Sequence, residues 1–386
     1  MQIGIFTETY KPTVNGVAVS VDTFKTELEK LGHKVYIFCP ANQNAAKEEG
    51  VFRVPSFQWL GSTKNYPLAL PGLTHISLAD VPELDIIHCQ HLSVMGRMGR
   101  HIAKEFKIPL VYTYHTLLTE YTHYIPLFGH FMKPLVIKIS RNFANSADVV
   151  ITPSPSIKRI LQGWGVKKPI EVVPTGIYLE NYSRSNPGPM KKHFNILDNQ
   201  QVLLYVGRIA REKNIDFLLE SFEHLQKNYP DVHLLLVGGG PEEKYWQDYV
   251  KKHQLTKYIT FTGFLPKQEV NQIFGQVELF VFPSTTDTQG IVVVEALAAG
   301  TPVIAANYLG PADIITSGKD GFLTPLNKFD FTDRIMELLK EEKTWQYFSK
   351  NAQKKAKQYS AQRCAQRMES IYYGLTTHHQ ISKSIT

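Results

Sequence analysis

The stretch GRIAREKN, Gly207 to Asn214, closes the strand-like run QVLLYV, and PSTTDTQGIVVVEALAAGTPV, Pro283 to Val303, closes a second run, LFVF. GRIAREKN carries two cations, Arg208 and Lys213, where a strand hands over to what reads as a helix start, a place whose backbone N–H groups already point outward. Cations there oppose the helix dipole by about 0.3–1 kcal/mol, so an anion, and a diphosphate in particular, is the natural compensation. The second stretch presents Asp287, a turn at Gly290, and Glu295 in the expected first turn of an Ala-rich helix. An ionised carboxylate only accepts hydrogen bonds, and its two oxygens match a vicinal diol, so sugars and riboses suit the pair. Taken singly, Asp287 is loop solubility and Glu295 is helix-start electrostatics. Flanking one TQG turn, ahead of small residues that let helix and sheet pack closely, they read as a site.

Working outward, 386 residues suit two domains rather than one core. Hydrophobic content of 43% with 20% charged residues is globular, and no window approaches the roughly 18 apolar residues of a membrane span. The start, MQIGIFTETY, has no basic region, apolar core or cleavage site of a secretory signal, so a cytoplasmic location is expected. Cys39, Cys89 and Cys364 are far apart and odd in number, which predicts buried, reduced thiols. Net charge is +7, a surplus that attracts phosphates without choosing among nucleotides, lipid headgroups and nucleic acid. No nucleic-acid-binding module is recognisable, so nucleic acid is not an expected partner.

Short β-branched and aromatic runs alternate with amphipathic helical stretches, the pattern of a parallel α/β sheet. Strands are expected at 3–7, 35–39, 85–89, 110–114 and 148–152, and the alternation restarts after a Pro-, Gly- and Ser-rich connector with strands at 202–206, 233–237, 259–263, 279–283 and 302–306. Two doubly wound domains follow, 1–175 and 176–350, with a tail over 351–386 that is helical in pattern, crosses back to the first domain and ends disordered at THHQISKSIT. Open parallel sheets bind ligands beyond the carboxyl ends of their strands, so a cleft between the two domains is the expected site.

Other segments fit that rule. Asn15 and Gly16 follow the first strand, where a missing side chain lets backbone amides approach a phosphate; the plain alternative is a turn. VGGGP, 237–241, lacks the dinucleotide-binding spacing and reads as turn chemistry. His115 follows a strand amid Tyr112, Tyr114, Tyr121 and Tyr124, and is either a structural histidine or one set beside a sugar. The spacing of His88, Cys89 and His91 resembles no common zinc set, so no metal is expected. MKPLVIKISRNF, Met132 to Phe143, sets Met132, Leu135, Val136, Ile139 and Phe143 on one side and Lys133, Lys138 and Arg141 on the other. It is free of acids, as is 51–79, where Phe57, Trp59, Leu60, Tyr66, Leu68 and Leu70 accompany Lys64. Two such regions suggest a surface facing an anionic membrane.

These residues resemble the retaining glycosyltransferases of GT-B architecture, two Rossmann-like domains with the active cleft between them, through GRxxxEKN at Gly207 to Asn214 and the acid-x7-Glu signature at Asp287 to Glu295. The family more often begins that signature with Glu, so Asp287 is a shortened version. The resemblance implies that Arg208 and Lys213 bind a donor diphosphate, Glu295 holds ribose hydroxyls, Asp287 with the backbone of Gln289 and Gly290 holds the transferred sugar, Gly16 lies near the phosphates, His115 lies beside the sugar and Phe264 contacts the base. The YTYHT…YTHYI block and the STTDTQG loop look most like bacterial diacylglycerol α-glucosyltransferases. Glucose transfer from UDP-glucose to 1,2-diacylglycerol on the inner membrane face is then expected, with no cofactor and no metal. A different lipid or soluble acceptor, or a nucleotide-sugar-binding regulator without turnover, are the alternatives.

Overall fold

The computed structural model describes residues 1–58, 67–70, 81–121 and 129–385. The chain divides into two compact units, Met1–Gly176 with Ala361–Thr386, and Ile177–Ser360. The first begins β1 (Gln2–Phe6), α1 (Gly16–Lys30), β2 (Lys34–Pro40), β3 (Val51–Val54), β4 (Ser56–Gln58), β5 (Pro67–Ala69), β6 (Ile86–Cys89) and α2 (Val94–Phe106). It continues with β7 (Leu110–Thr113), α3 (Gly129–Ala144), β8 (Val149–Thr152), α4 (Pro155–Gly163) and β9 (Ile170–Val172). Its main sheet is wholly parallel, in the order β3-β2-β1-β6-β7-β8-β9. A parallel sheet needs apolar cover on both faces, and β1, β6, β7 and β8 are apolar almost throughout because helices lie over both sides. On α1 the buried positions Val21, Phe24 and Leu28 repeat at helical spacing, and Gly32 at φ 86° takes the left-handed conformation that ends the helix.

The second unit runs α5 (Gly188–His193), β10 (Gln201–Val206), α6 (Ile215–Asn228), β11 (Val232–Val237), α7 (Glu243–Lys252), β12 (Ile259–Gly263) and α8 (Lys267–Phe274). Then come β13 (Leu279–Phe282), α9 (Ile291–Ala298), β14 (Val303–Ala306), α10 (Leu309–Ile314), β15 (Gly321–Thr324), α11 (Lys328–Lys340) and α12 (Glu342–Ala356). Its six strands are also all parallel, ordered β12-β11-β10-β13-β14-β15. Every strand expected from the sequence is present to within a residue or two. Short β3, β9 and β15 and the antiparallel β4–β5 pair were not anticipated. The division after Ser360 falls beyond residue 350 because α12 continues to Ala356 and packs on α9.

The chain ends in α13 (Ala361–Ile385), which belongs to the first unit and packs on α1. The tail read as disordered, from Thr377, is instead the last turns of this helix. Cys364, Met368 and Tyr372, at i, i+4 and i+8, are buried in the first unit's core. Two histidines of the same unit bond to this helix. His33 Nε2 lies 2.7 Å from Glu369, and buried His88 joins Tyr372 (2.6 Å from Nδ1) to Thr113 (2.6 Å from Nε2). All three cysteines are buried and free.

Burial lowers the pKa of His88 to about 3. Its ring stays neutral in the fold while the unfolded chain protonates it below about 6.5, so the unfolded state takes up the extra proton in between. Stability is lost as pH falls through that window, by about 1.4 kcal/mol per pH unit for this one side chain. The urea midpoint is therefore expected to drop between pH 7.5 and 5.5, and His88→Gln, whose amide can still meet both hydroxyls, should make the drop shallower. An equal drop in both proteins would refute the assignment.

Candidate active site

In the second unit β10 stands between β11 and β13, so the winding direction reverses at its carboxyl end, where open parallel sheets accept ligands. The loops after β10 and β13 are stapled together there. Asn214 donates through Nδ2 to the Pro283 carbonyl (2.9 Å) and Thr285 Oγ1 (3.3 Å), and Thr286 Oγ1 donates to the Glu212 carbonyl (3.1 Å). Lys213 Nζ meets Asp287 Oδ2 at 2.7 Å, with both side chains largely buried. Arg208, half-exposed, has Nη1 3.6 Å from Glu212 Oε1. The helix start expected at the cations lies later. Arg211–Lys213 is a single 3-10 turn, Asn214 is left-handed at φ 52°, and α6 begins only at Ile215. The compensation expected from an external anion is thus already supplied in part by Asp287 and Glu212.

Gly290, at φ 79°, turns the chain into α9, and Gln289 beside it is buried. Glu295 is not in the first turn of α9 but one turn further in, 3% exposed, with one carboxylate oxygen bonded to Lys267 Nζ. Tyr182 lies beside the pair, its phenol pKa raised by burial and then by the charge of Glu295. Lys267 escaped the sequence reading. The same strand-end logic applied to FTGFLPK after β12 would have found it.

The glycine run after β11 is more than a turn. A Cβ on Gly240 would stand 2.1 Å from the Ile209 carbonyl oxygen, so this loop lies directly on GRIAREKN. One on Gly239 would stand 2.7 Å from Cε2 of Phe264, whose ring is 83% exposed. An exposed phenyl face with no cover of its own suits stacking by a planar base.

In the first unit β1 and β6 are neighbours at the point where strand order reverses. Gly16 opens α1, whose N-cap Asn15 accepts from the Ala18 N–H at 2.8 Å. Glu8 stitches the two strand-end loops: its carboxylate accepts from Ser93 Oγ (2.6 Å) and the Met95 N–H (2.9 Å), while its own N–H donates to His91 Nδ1 (3.1 Å). His115 lies just beyond β7 with Nε2 2.6 Å from the amide oxygen of buried Gln90. Burial, then His91 and His88, hold its pKa well below 6.5, so the ring is a neutral imidazole. With the Gln90 oxygen accepting, the proton is on Nε2. Tyr112 and Tyr114 are core residues at 2% and 1% exposure and do not offer a sugar-binding face. Tyr124, Trp59 and Lys64 lie outside the described residues.

The faces of α3 differ from those expected. Ser140, Phe143 and Ala144 are buried, whereas Leu135 and Ile139 are exposed beside exposed Lys138. The core contact is carried by small residues and one phenyl, which leaves apolar side chains and a cation on one outer surface. Lys133 has a distant acid partner, Glu120 at 3.9 Å, and Arg141 is half-buried. Among the described residues no helix is long and apolar enough to cross a membrane.

The model of "Glycosyl transferases group 1" matches residues 189–355, and that of "Glycosyltransferase Family 4" matches 14–181. The alpha-monoglucosyldiacylglycerol synthase of Streptococcus pneumoniae is 36% identical, over 79% of this chain and 71% of that protein. Its namesake in Acholeplasma laidlawii is 30% identical over 97% of each. The chain belongs to the GT-B glycosyltransferases. Among solved structures, a sucrose-phosphate synthase of Thermosynechococcus elongatus has the same fold, with a TM-score of 0.80 at 20% identity over 98% and 99% of the two chains. The enzyme is a hexosyltransferase with two parallel-sheet Rossmann-like domains.

Two outcomes test this geometry. Lys267→Met strands the buried carboxylate of Glu295 and is expected to lower the urea midpoint and weaken nucleotide-sugar binding about tenfold. The double variant Lys267→Met/Glu295→Gln should recover the midpoint but not the binding; additive loss of stability would exclude the pairing. Gln90→Glu places a carboxylate on the His115 ring and favours imidazolium, so the acidic limb of the rate profile should move up toward neutrality. Activity lost at low pH should return at high pH, and an unchanged profile would show that Gln90 does not govern the ring.

Proposed function

We propose that the enzyme moves a glucosyl unit from UDP-glucose to the free hydroxyl of 1,2-diacylglycerol, with retention at the anomeric carbon, as a peripheral protein on the cytoplasmic face of the membrane. One observation carries the donor class: Lys213 pairs with Asp287 across the loops following β10 and β13, and Lys267 at the start of α8, after β12, pairs with Glu295 in α9, after β13. A sugar nucleotide carries both a diphosphate for the cations and diols for the carboxylates. It can therefore exchange with both pairs while leaving no buried charge unmatched. The names of the two synthases support glucose and diacylglycerol; other relatives named for mannosyl and sulfoquinovosyl transfer, at 25% and 30% identity, make the donor sugar the point to test.

In this reading Arg208 and Lys213 hold the diphosphate, Glu295 the ribose, Asp287 with the Gln289–Gly290 backbone the glucose, and Phe264 the base. As the bond from the anomeric carbon to the phosphate oxygen breaks, charge grows on that oxygen, and fixed cations and N–H groups lower the barrier. The acceptor oxygen bonds to the same face of the sugar, and its proton passes to the departing phosphate. No carboxylate nucleophile and acid pair of the glycosidase kind is needed. His115, neutral and held by Gln90, orients the sugar. Leu135, Ile139 and Lys138 on α3 suit an anionic interface, where each cation near the surface contributes about 1 kcal/mol.

The test offers a panel of sugar nucleotides with diacylglycerol in mixed micelles and identifies the lipid product. Monoglucosyl-diacylglycerol from UDP-glucose is expected; a product only with another lipid or a soluble sugar, or nucleotide binding without turnover, would replace this reading. Lys213→Ala should cut turnover about 100- to 1,000-fold with the fold intact.

A further inference from the structure

We propose that the first unit carries a phosphate-binding pocket formed by the end of α3 and the turn between α4 and β9, separate from the sugar-nucleotide loops. Its lining is Arg141, Asn145, Gly165, Lys167 and Lys168, around a cavity of about 540 Å3. Three of the five are cations and none is an acid. The turn is built rather than loose. Gly165 is left-handed at φ 86° and packs on the Arg141 side chain, and Val166 behind it is buried with its N–H bonded to the Leu161 carbonyl (3.1 Å). Neutral Asn145 clamps the turn, accepting from the Lys167 N–H at 2.7 Å and donating to the Gly165 carbonyl at 3.3 Å.

The cations gathered there lack counter-charges. Among the described residues none of the three forms an ion pair, in contrast to Lys213 and Lys267. Asp148, the acid on the α3–β8 turn, directs its carboxylate to the Leu110 N–H at 2.8 Å. The dipole at the end of α3 accounts for Arg141 alone and not for Lys167 or Lys168, which are outside any helix. The whole +7 surplus falls in this unit, since the second holds 21 Lys and Arg against 21 Asp and Glu. A phosphate group answers all of this: the guanidinium offers a planar two-pronged donor and the lysines point charges. The phosphate is either that of a lipid headgroup or a free one. The lipid source rests on the membrane-facing reading of α3; the pocket itself does not.

The test uses the full chain with two charge-neutralising substitutions together, Lys167→Gln and Lys168→Gln, and separately Asn145→Ala, which unclamps the turn without changing charge. Sedimentation is measured with phosphatidylcholine vesicles containing phosphatidylglycerol and with vesicles of equal charge density containing oleate, and inorganic phosphate is titrated calorimetrically. Both variants are expected to lose about tenfold in binding to the phosphate-bearing vesicles while oleate binding changes little. Saturable binding of inorganic phosphate that both variants weaken would support the pocket with a soluble ligand as its source. Wild-type behaviour of Asn145→Ala in both arms, equal loss on both vesicle types, or binding to neither ligand would overturn it. UDP affinity, read in parallel, should be unchanged in every variant, so a failure here stays distinct from a failure of the donor assignment.

Discussion

The contact of Lys213 with Asp287 joins two loops that are distant in sequence but end neighbouring strands, and the donor half of the site depends on it. Without it, two largely buried charges of opposite sign would each face an apolar sheet end alone, at a cost of several kcal/mol. With it, GRIAREKN and STTDTQG form one surface, further fixed by the Asn214 and Thr286 hydrogen bonds. The protein thereby keeps both a cation and a carboxylate desolvated and aimed before any ligand arrives. Lys267 and Glu295 form a second such pair one loop away, with the carboxylate buried and the ammonium more than half exposed. A ligand bearing both phosphate and hydroxyl groups can take over each half of each pair.

The first unit solves a different problem. It places four polar side chains, Glu8, Gln90, His91 and His115, at adjoining strand ends above an apolar sheet, where charged imidazoles would be costly. Both rings are held neutral by burial, with His91 Nδ1 accepting from the Glu8 N–H and His115 Nε2 meeting the Gln90 amide oxygen. A neutral ring with a fixed tautomer is a directional hydrogen-bonding group instead of a charge. That suits orienting a sugar hydroxyl better than transferring a proton, and it agrees with a reaction in which the leaving phosphate takes the proton.

Both sheets could be seen in the sequence because their strands are continuous apolar runs bounded by turn residues, the mark of strands covered on both faces. What escaped did so for local reasons. The IEV of β9 sits inside a Pro- and Gly-rich connector, and β15 begins at a glycine. The last turns of α13 are rich in Thr, His and Ser, which carry weak helical signal alone. On α3, Leu135 and Ile139 look like core but are exposed, while the small Ser140 between them and Phe143 is buried. Arg208, Lys213, Asp287 and Glu295 were legible through motif spacing, but their pairing was not, since Lys267 lies 28 residues before the acid it binds.

The division of charge gives these differences one cause. A unit that binds a dianionic nucleotide while keeping the lysines of its site paired has no need of a net surplus, and the second unit is balanced to the charge. A unit that meets an extended anionic surface gains from every unpaired cation, because long-range attraction adds over all of them and is not limited to contact geometry. The surplus lies in the unit without the GRIAREKN and STTDTQG loops, and three of its cations gather at the end of α3 and the turn after α4. Lys213, fixed by Asp287, and Lys167 and Lys168, which form no ion pair among the described residues, are two uses of the same side chain: one is aimed before a donor arrives, the others are left to meet an anion directly.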